Sequence, residues 1–191
     1  MSFEETFAEH AAVAARSARE LPPLLERIAG AAFECLSGGG KILACGNGGS
    51  AAQAQHLAAE LIGRFQDERR ALAAVALCAD TATLTSLAND YGYEHVFARQ
   101  VEALAQAGDL LIAISTSGNS PNVLQAAVAA RARKCAVIAL TGAGGGKLAA
   151  QADVLLRAPA DSVARIQEVH GLCIHALVEE LESRLRRQAR A

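Results

Sequence analysis

Five short apolar runs, each separated from the next by a stretch with helical spacing, constrain this chain more than any other feature. The runs are KILACG (41–46), AAVALC (73–78), DLLIAIS (109–115), KCAVIAL (134–140) and DVLLRAP (153–159). None alternates polar with apolar residues, so each predicts a strand covered on both faces, as in parallel sheets. Helical patterns lie between them at 50–63, 94–107 and 120–132, with a shorter one near 81–88 and a final helix over about 162–187. This order predicts a three-layer α/β domain: a five-stranded parallel sheet flanked by helices.

Ahead of the alternation, residues 2–36 read as two helices. Phe3, Phe7, Ala11 and Val13, then Leu24, Leu25, Ile28, Ala32 and Phe33, recur at helical spacing, and Leu21-Pro22-Pro23 marks the break. The expected division is an N-terminal helical extension, 1–36, and one domain over 37–191.

A chain of 191 residues is long enough to bury a core without disulfides or metal staples. With no Trp and one Met, Ala and Leu must fill it. The net charge of −2 gives no general electrostatic case for binding nucleic acid. The basic segment RLRRQAR (184–190) reads as a solvated helix end whose charges complement the helix dipole. The five cysteines (Cys35, Cys45, Cys78, Cys135 and Cys173) are widely spaced, with no C-x-x-C pair, and read as reduced core residues of a cytoplasmic protein. The acidic N-terminus lacks the basic region of a secretory signal. No apolar run nears the roughly 18 residues of a spanning helix. Neither a membrane nor a nucleic-acid partner is expected.

Open parallel sheets bind ligands beyond the carboxyl ends of their strands. The most distinctive loops are placed there: Gly46-Asn47-Gly48-Gly49-Ser50, Ser115-Thr116-Ser117-Gly118-Asn119-Ser120, and Thr141-Gly142. The second holds four hydroxyls in six residues and leads into a helix at Ser120-Pro121. Unpaired N–H groups at a helix start, joined by hydroxyls, suit a phosphate. A serine-rich capping turn without a ligand fits the same residues. No Lys stands at P-loop spacing, and GNGGSA lacks the third glycine of a dinucleotide loop, with only Asp80 near the ribose position.

On helix 50–63, His56 and Glu60 stand four residues apart and share a face. They read either as a surface pair or as a base beside a histidine, or as two metal ligands. The alanine- and leucine-rich surroundings favour a site over a solvated pair. On the last helix His170 and His175 are about 140° apart and should not face one site. Gln167 and His175, about 80° apart, share a site only if it runs along that face. Glu168 is better in phase with His175 and reads equally as a first-turn acid.

CGNGGSAAQAQHLAAEL, ANDYGYEHVFARQVEALAQAGDLLIAISTSGNSPNV, ALTGAGGGKLA and RIQEVHGLCIHALVEELE together resemble the phosphoheptose isomerases, the sedoheptulose-7-phosphate isomerases of bacterial heptose synthesis. The resemblance spans roughly residues 3–183. It implies the SIS fold and a homotetramer assembled in part by the N-terminal helices. It also implies the isomerisation of sedoheptulose 7-phosphate to D-glycero-D-manno-heptose 7-phosphate on the route to lipopolysaccharide core. By the same resemblance Asn47, Gly48, Gly49, Ser50, Asn89 and Asp90 hold the sugar, and Ser115, Thr116, Ser117 and Ser120 take the phosphate. Glu60 becomes the base that moves a proton between C1 and C2, with His175 its acid partner. Zinc falls to His56, Glu60, Gln167 and His175, with Gln167 also touching substrate. A metal-bound Glu60 is a weaker base, and the sequence leaves open which role dominates.

Two positions depart from the pattern: Gln53 stands where many members have Asp, and Ala164 where some do. Two other readings share the fold: a non-catalytic adaptor that binds the replication initiator protein, and a sugar-phosphate sensor without turnover. Neither needs Glu60, which is present.

Overall fold

The structure, a computed structural model, describes residues 2–190 and side chains as far as Gln188. Met1, Ala191 and the side chains of Ala189 and Arg190, at the end of the basic segment, lie outside it. Strands β1 (Ile42–Cys45), β2 (Ala74–Ala76), β3 (Leu110–Ile114), β4 (Ala136–Gly142) and β5 (Val154–Ala158) form one parallel sheet in the order β2-β1-β3-β4-β5. The helices are α1 (Phe3–Glu20), α2 (Pro22–Ser37), α3 (Gly49–Ile62), α4 (Thr81–Tyr91), α5 (Ala98–Leu104), α6 (Pro121–Ala132) and α7 (Val163–Arg190).

Successive strand residues feed two separate cores. Ile42 and Ala44 of β1 pack with α1, α2, α3 and α7, whereas Leu43 and Cys45 pack with α5 and α6. All of β3 is buried, which explains its unbroken apolar run. The three-layer fold read from the sequence is the fold observed.

Local chemistry sets the helix ends. Ser2 and Glu5 form a capping box at the start of α1: the Ser2 hydroxyl accepts from Glu5 N at 3.2 Å, and the Glu5 carboxylate accepts from Ser2 N at 2.6 Å. Asp80, weighed above as a ribose acid, instead caps α4 by accepting from Thr83 N at 2.7 Å. The single helix expected over 94–107 is broken into a 3-10 turn, Tyr93–His95, and the short α5. Val96 and Phe97 turn into the core at the break, and the Asp109 carboxylate takes Gln106 N at 2.8 Å. Tertiary burial and that acceptor outweigh the helical spacing. In the basic segment Arg184 pairs with Glu26 and Glu180, Arg186 with Asp67 and Arg187 with Glu180. The helix end is therefore solvent-exposed at Arg186 and Arg187, as expected, while Arg184 is largely covered and ties α7 to α2 through Glu26.

Topology places the site. The connection from β1 through α3 goes to β2 at one edge, and that from β3 through α6 goes toward β5 at the other. The two diverge between β1 and β3, so a crevice opens beyond the carboxyl ends of those strands.

Candidate active site

On the β1 side of the crevice, Gly48 turns the chain into α3 with φ +55° and ψ −122°, and no side chain caps that helix. A side chain would resist this φ. Gly49 allows a close approach, because a Cβ there would lie 2.5 Å from the Gln167 amide nitrogen on α7. Ser50 is buried, its N–H donating to the Asn47 carbonyl at 3.0 Å.

On the β3 side, the hydroxyls of Ser115 and Ser120 share a hydrogen bond of 2.9 Å. Ser120 occupies the cap position of α6, yet its side chain bonds to no N–H of that helix. The capping turn allowed by the sequence is therefore not made by this serine, which turns toward Ser115 instead. Ser117 Oγ accepts from Asn119 N at 3.1 Å. The Thr116 carbonyl accepts from Gly142 N at 2.9 Å, tying this loop to the end of β4. Gly118 has φ +65°, and a Cβ there would overlap the Gly145 carbonyl.

Asn122 joins the two sides and was not singled out in the sequence. It is 2% exposed and exchanges two amide hydrogen bonds with Asn47, each 2.8 Å. Tyr93 also donates to Asn47 Oδ1, at 3.1 Å. Asn47 thus spends its carboxamide oxygen on fixing the loop. The available signal was Asn122's phase, in register with Ala126 and Ala129 on a buried helix face. Asn89 and Asp90 are exposed at the end of α4, bonded to each other at 2.9 Å. Their link to the glycine loop runs through Tyr93, three residues beyond Asp90.

Helices α3 and α7 lie side by side in the same direction, and the titratable groups meet on their seam. His56 Nε2 is 2.8 Å from His175 Nε2 and 3.6 Å from Glu60 Oε1. One imidazole must carry its proton on Nε2 while the other accepts, and the carboxylate contact is too long for a hydrogen bond. The three ligand atoms lie within 4.8 Å of one another, so His56, Glu60 and His175 form a cluster able to coordinate a metal. His56 is 44% exposed and Glu60 20%, which opens the cluster to solvent despite its alanine-rich helix. Phe65 stacks on His175, with ring centroids 5.5 Å apart and planes at 25°.

The other candidates on α7 separate as their phases imply. His170 points away, fully buried, its Nε2 donating to the Thr141 carbonyl at 3.0 Å. Glu168 binds His10 and Arg165, which anchors α7 to α1 and leaves it outside the cluster. Gln167 lies eight residues before His175, about 12 Å along the axis, with its side chain against Gly49. Its carbonyl accepts from Gln53 Nε2 at 2.5 Å, so the residue found in place of Asp links α3 to α7.

Known proteins match this arrangement. A SIS-domain profile fits residues 6–142. The phosphoheptose isomerase of Thiobacillus denitrificans is 59% identical over 172 residues, 88% of this chain and 87% of that protein. The phosphoheptose isomerase of Neisseria gonorrhoeae is 52% identical over 189 residues, 95% of this chain and 96% of that protein. Among solved structures, phosphoheptose isomerase GmhA from Neisseria gonorrhoeae superposes with a TM-score of 0.90 at 50% identity, covering 94% of this chain and 96% of that one. A phosphoheptose isomerase from Francisella tularensis gives 0.92 at 41% identity with the same coverage.

Proposed function

The chain belongs to the SIS-domain family and, within it, to the phosphoheptose isomerases, and from that premise we propose that it converts sedoheptulose 7-phosphate to D-glycero-D-manno-heptose 7-phosphate. The observation that carries the reading is the convergence of His56 and Glu60, on the helix launched from the glycine loop, with His175 of α7.

The isomerisation moves one proton between carbons and one between oxygens. The Glu60 carboxylate takes a proton from C1 of the ketose, giving a cis-enediol, and returns it to C2. His175 carries the hydroxyl proton from O1 to the oxygen on C2. Each such positioned acid or base typically contributes about 10²–10⁴-fold. Phosphate bound by Ser115, Thr116, Ser117, Ser120 and the start of α6 would hold the far end of the sugar. Ser120 makes no cap bond at α6, which supports that assignment, although Val123 N in the first turn is taken by the Asn122 carboxamide oxygen at 3.0 Å. Asn47, Gly48, Gly49, Ser50, Asn89, Asp90 and Gln167 complete the proposed sugar contacts.

Two imidazole nitrogens and one carboxylate oxygen fit zinc, with His56, Glu60 and His175 holding it, whereas Gln167, the fourth ligand the family pattern implies, lies against Gly49 and away from these three. When bound, zinc supplies Lewis-acid stabilisation of negative charge developing on substrate oxygen.

The same reading makes the protein a cytoplasmic homotetramer in lipopolysaccharide-core heptose supply. Residues 1–36 serve assembly, and 37–191 form the isomerase domain. Phe3 and Phe7, 83% and 73% exposed on α1, support a partner there. No described helix is long and apolar enough to cross a membrane.

Glu60→Gln tests the proposal, since it keeps the shape and removes the base. Turnover should fall by about 10³-fold or more while sugar-phosphate affinity stays within a few fold. Activity near wild type would sink the assignment of Glu60.

A further inference from the structure

We propose that Glu182, remote from the crevice, is a positioning residue that holds both His175 and Glu60 in their working places. It is 2% exposed, and four donors converge on it. Phe65 N and Arg69 Nε reach Oε1, each at 3.0 Å, and Gln66 N and Asp67 N reach Oε2, each at 3.1 Å. A carboxylate this buried is tolerated because it is paired and hydrogen-bonded on both oxygens.

What it holds is the turn after α3, and two contacts hang from that turn. The first is the Phe65 ring stacked on His175. The second is Arg69. With Nε committed to Glu182, its other N–H groups donate to the carbonyls of Glu60 at 2.7 Å, Leu61 at 2.9 Å and Gly63 at 3.3 Å. A helix end leaves such carbonyls without partners inside the helix; Leu72 N also reaches the Leu61 carbonyl, at 3.0 Å. Gly63, at φ −78°, does not take the left-handed conformation that usually closes a helix. Arg69 therefore completes the last turn of α3, which carries Glu60. One carboxylate fixes an imidazole through an aromatic ring and a carboxylate-bearing turn through a guanidinium.

Glu182 also follows His175 by seven residues, two helical turns along one face of α7. The anchor and the imidazole thus share a rigid support, and loosening the anchor frees the ring from its outer side. A carboxylate that served stability alone would lower the melting temperature and leave the folded site unchanged.

The kinetic part of this inference rests on the isomerase reading, and the spectroscopic and metal-binding parts do not. The test uses the full chain with histidine side chains isotopically labelled, comparing wild type, Glu182→Gln and Phe65→Leu at a temperature where circular dichroism shows each folded. In both variants the ring-current shift that Phe65 imposes on the His175 ring protons should disappear. Zinc affinity, titrated with the metal alone, and kcat should each fall by about 10- to 100-fold. KM for sedoheptulose 7-phosphate should move less than about threefold, because the hydroxyl loop is built on β3. The two substitutions together should cost less than the product of their separate effects, since they break one chain of contacts.

Wild-type kcat and an unmoved His175 resonance in folded Glu182→Gln would overturn the proposal. If that variant does not fold, Phe65→Leu with wild-type kcat and zinc affinity overturns it instead. A wild-type protein without isomerase activity would refute the isomerase reading, while the histidine resonances and zinc titration would still judge Glu182.

Discussion

His170 shows what a buried histidine does in this molecule when it is not in the site. Its environment is desolvated, and burial pushes its pKa down from 6.5 to about 4, despite the bond from Nε2 to the Thr141 carbonyl. The ring is neutral when folded, and its Nδ1 has no partner. The unfolded chain takes up a proton near 6.5 that the folded chain refuses until about 4. Its contribution to stability is therefore full above pH 6.5 and lost as pH falls toward 4. Up to about 3 kcal/mol is at stake, at ~1.4 kcal/mol per unit. Urea denaturation across that range should show His170→Gln with a flatter pH dependence than wild type. Parallel curves would refute this account of the residue. In the sequence, the spacing of His56 and Glu60 marked their shared face, and helical phase separated His170 from His175. Phe65 and Glu182 were not legible as partners of the site. Phe65 sits in a loop without periodicity, and Glu182's value lies in four donors that only the folded turn brings to it.

The elements that shape the crevice are its strand-to-helix turns, and their glycines are not equivalent. Gly118 combines a left-handed φ of +65° with backbone overlap at any Cβ, whereas Gly144 has open space around it. Gly118→Ala should raise KM for the sugar phosphate about tenfold or more by displacing the hydroxyl loop, and lower stability by about 1–3 kcal/mol. Gly144→Ala should stay close to wild type in both, as steady-state kinetics and thermal melts would reveal. Strands and most helices were readable because apolar runs buried on both faces leave little freedom of assignment. The break inside 94–107 was hidden, since it comes from the burial of Val96 and Phe97 in the tertiary core, which that segment's own periodicity does not reveal. The Asn47–Asn122 clip was equally hidden, because it joins the glycine loop to the first turn of α6, 75 residues further along the chain.

As a whole molecule the chain keeps one face of its N-terminal helix apolar and uncovered, with Phe3 and Phe7 four residues apart on α1. If this face joins subunits in the proposed tetramer, Phe3→Glu with Phe7→Glu should give a smaller species than wild type in light scattering while leaving helical circular dichroism intact. An unchanged mass would remove α1 from the assembly. The parallel sheet, the hydroxyl loop and the His56–Glu60–His175 cluster all serve the central claim that this chain isomerises a heptose phosphate. The most direct test is to incubate the purified, zinc-supplied protein with sedoheptulose 7-phosphate and follow the sugar by NMR, beside Glu60→Gln. The account predicts that aldoheptose 7-phosphate accumulates with wild type and not with the variant. No product from the wild type, or equal product from both, would contradict it.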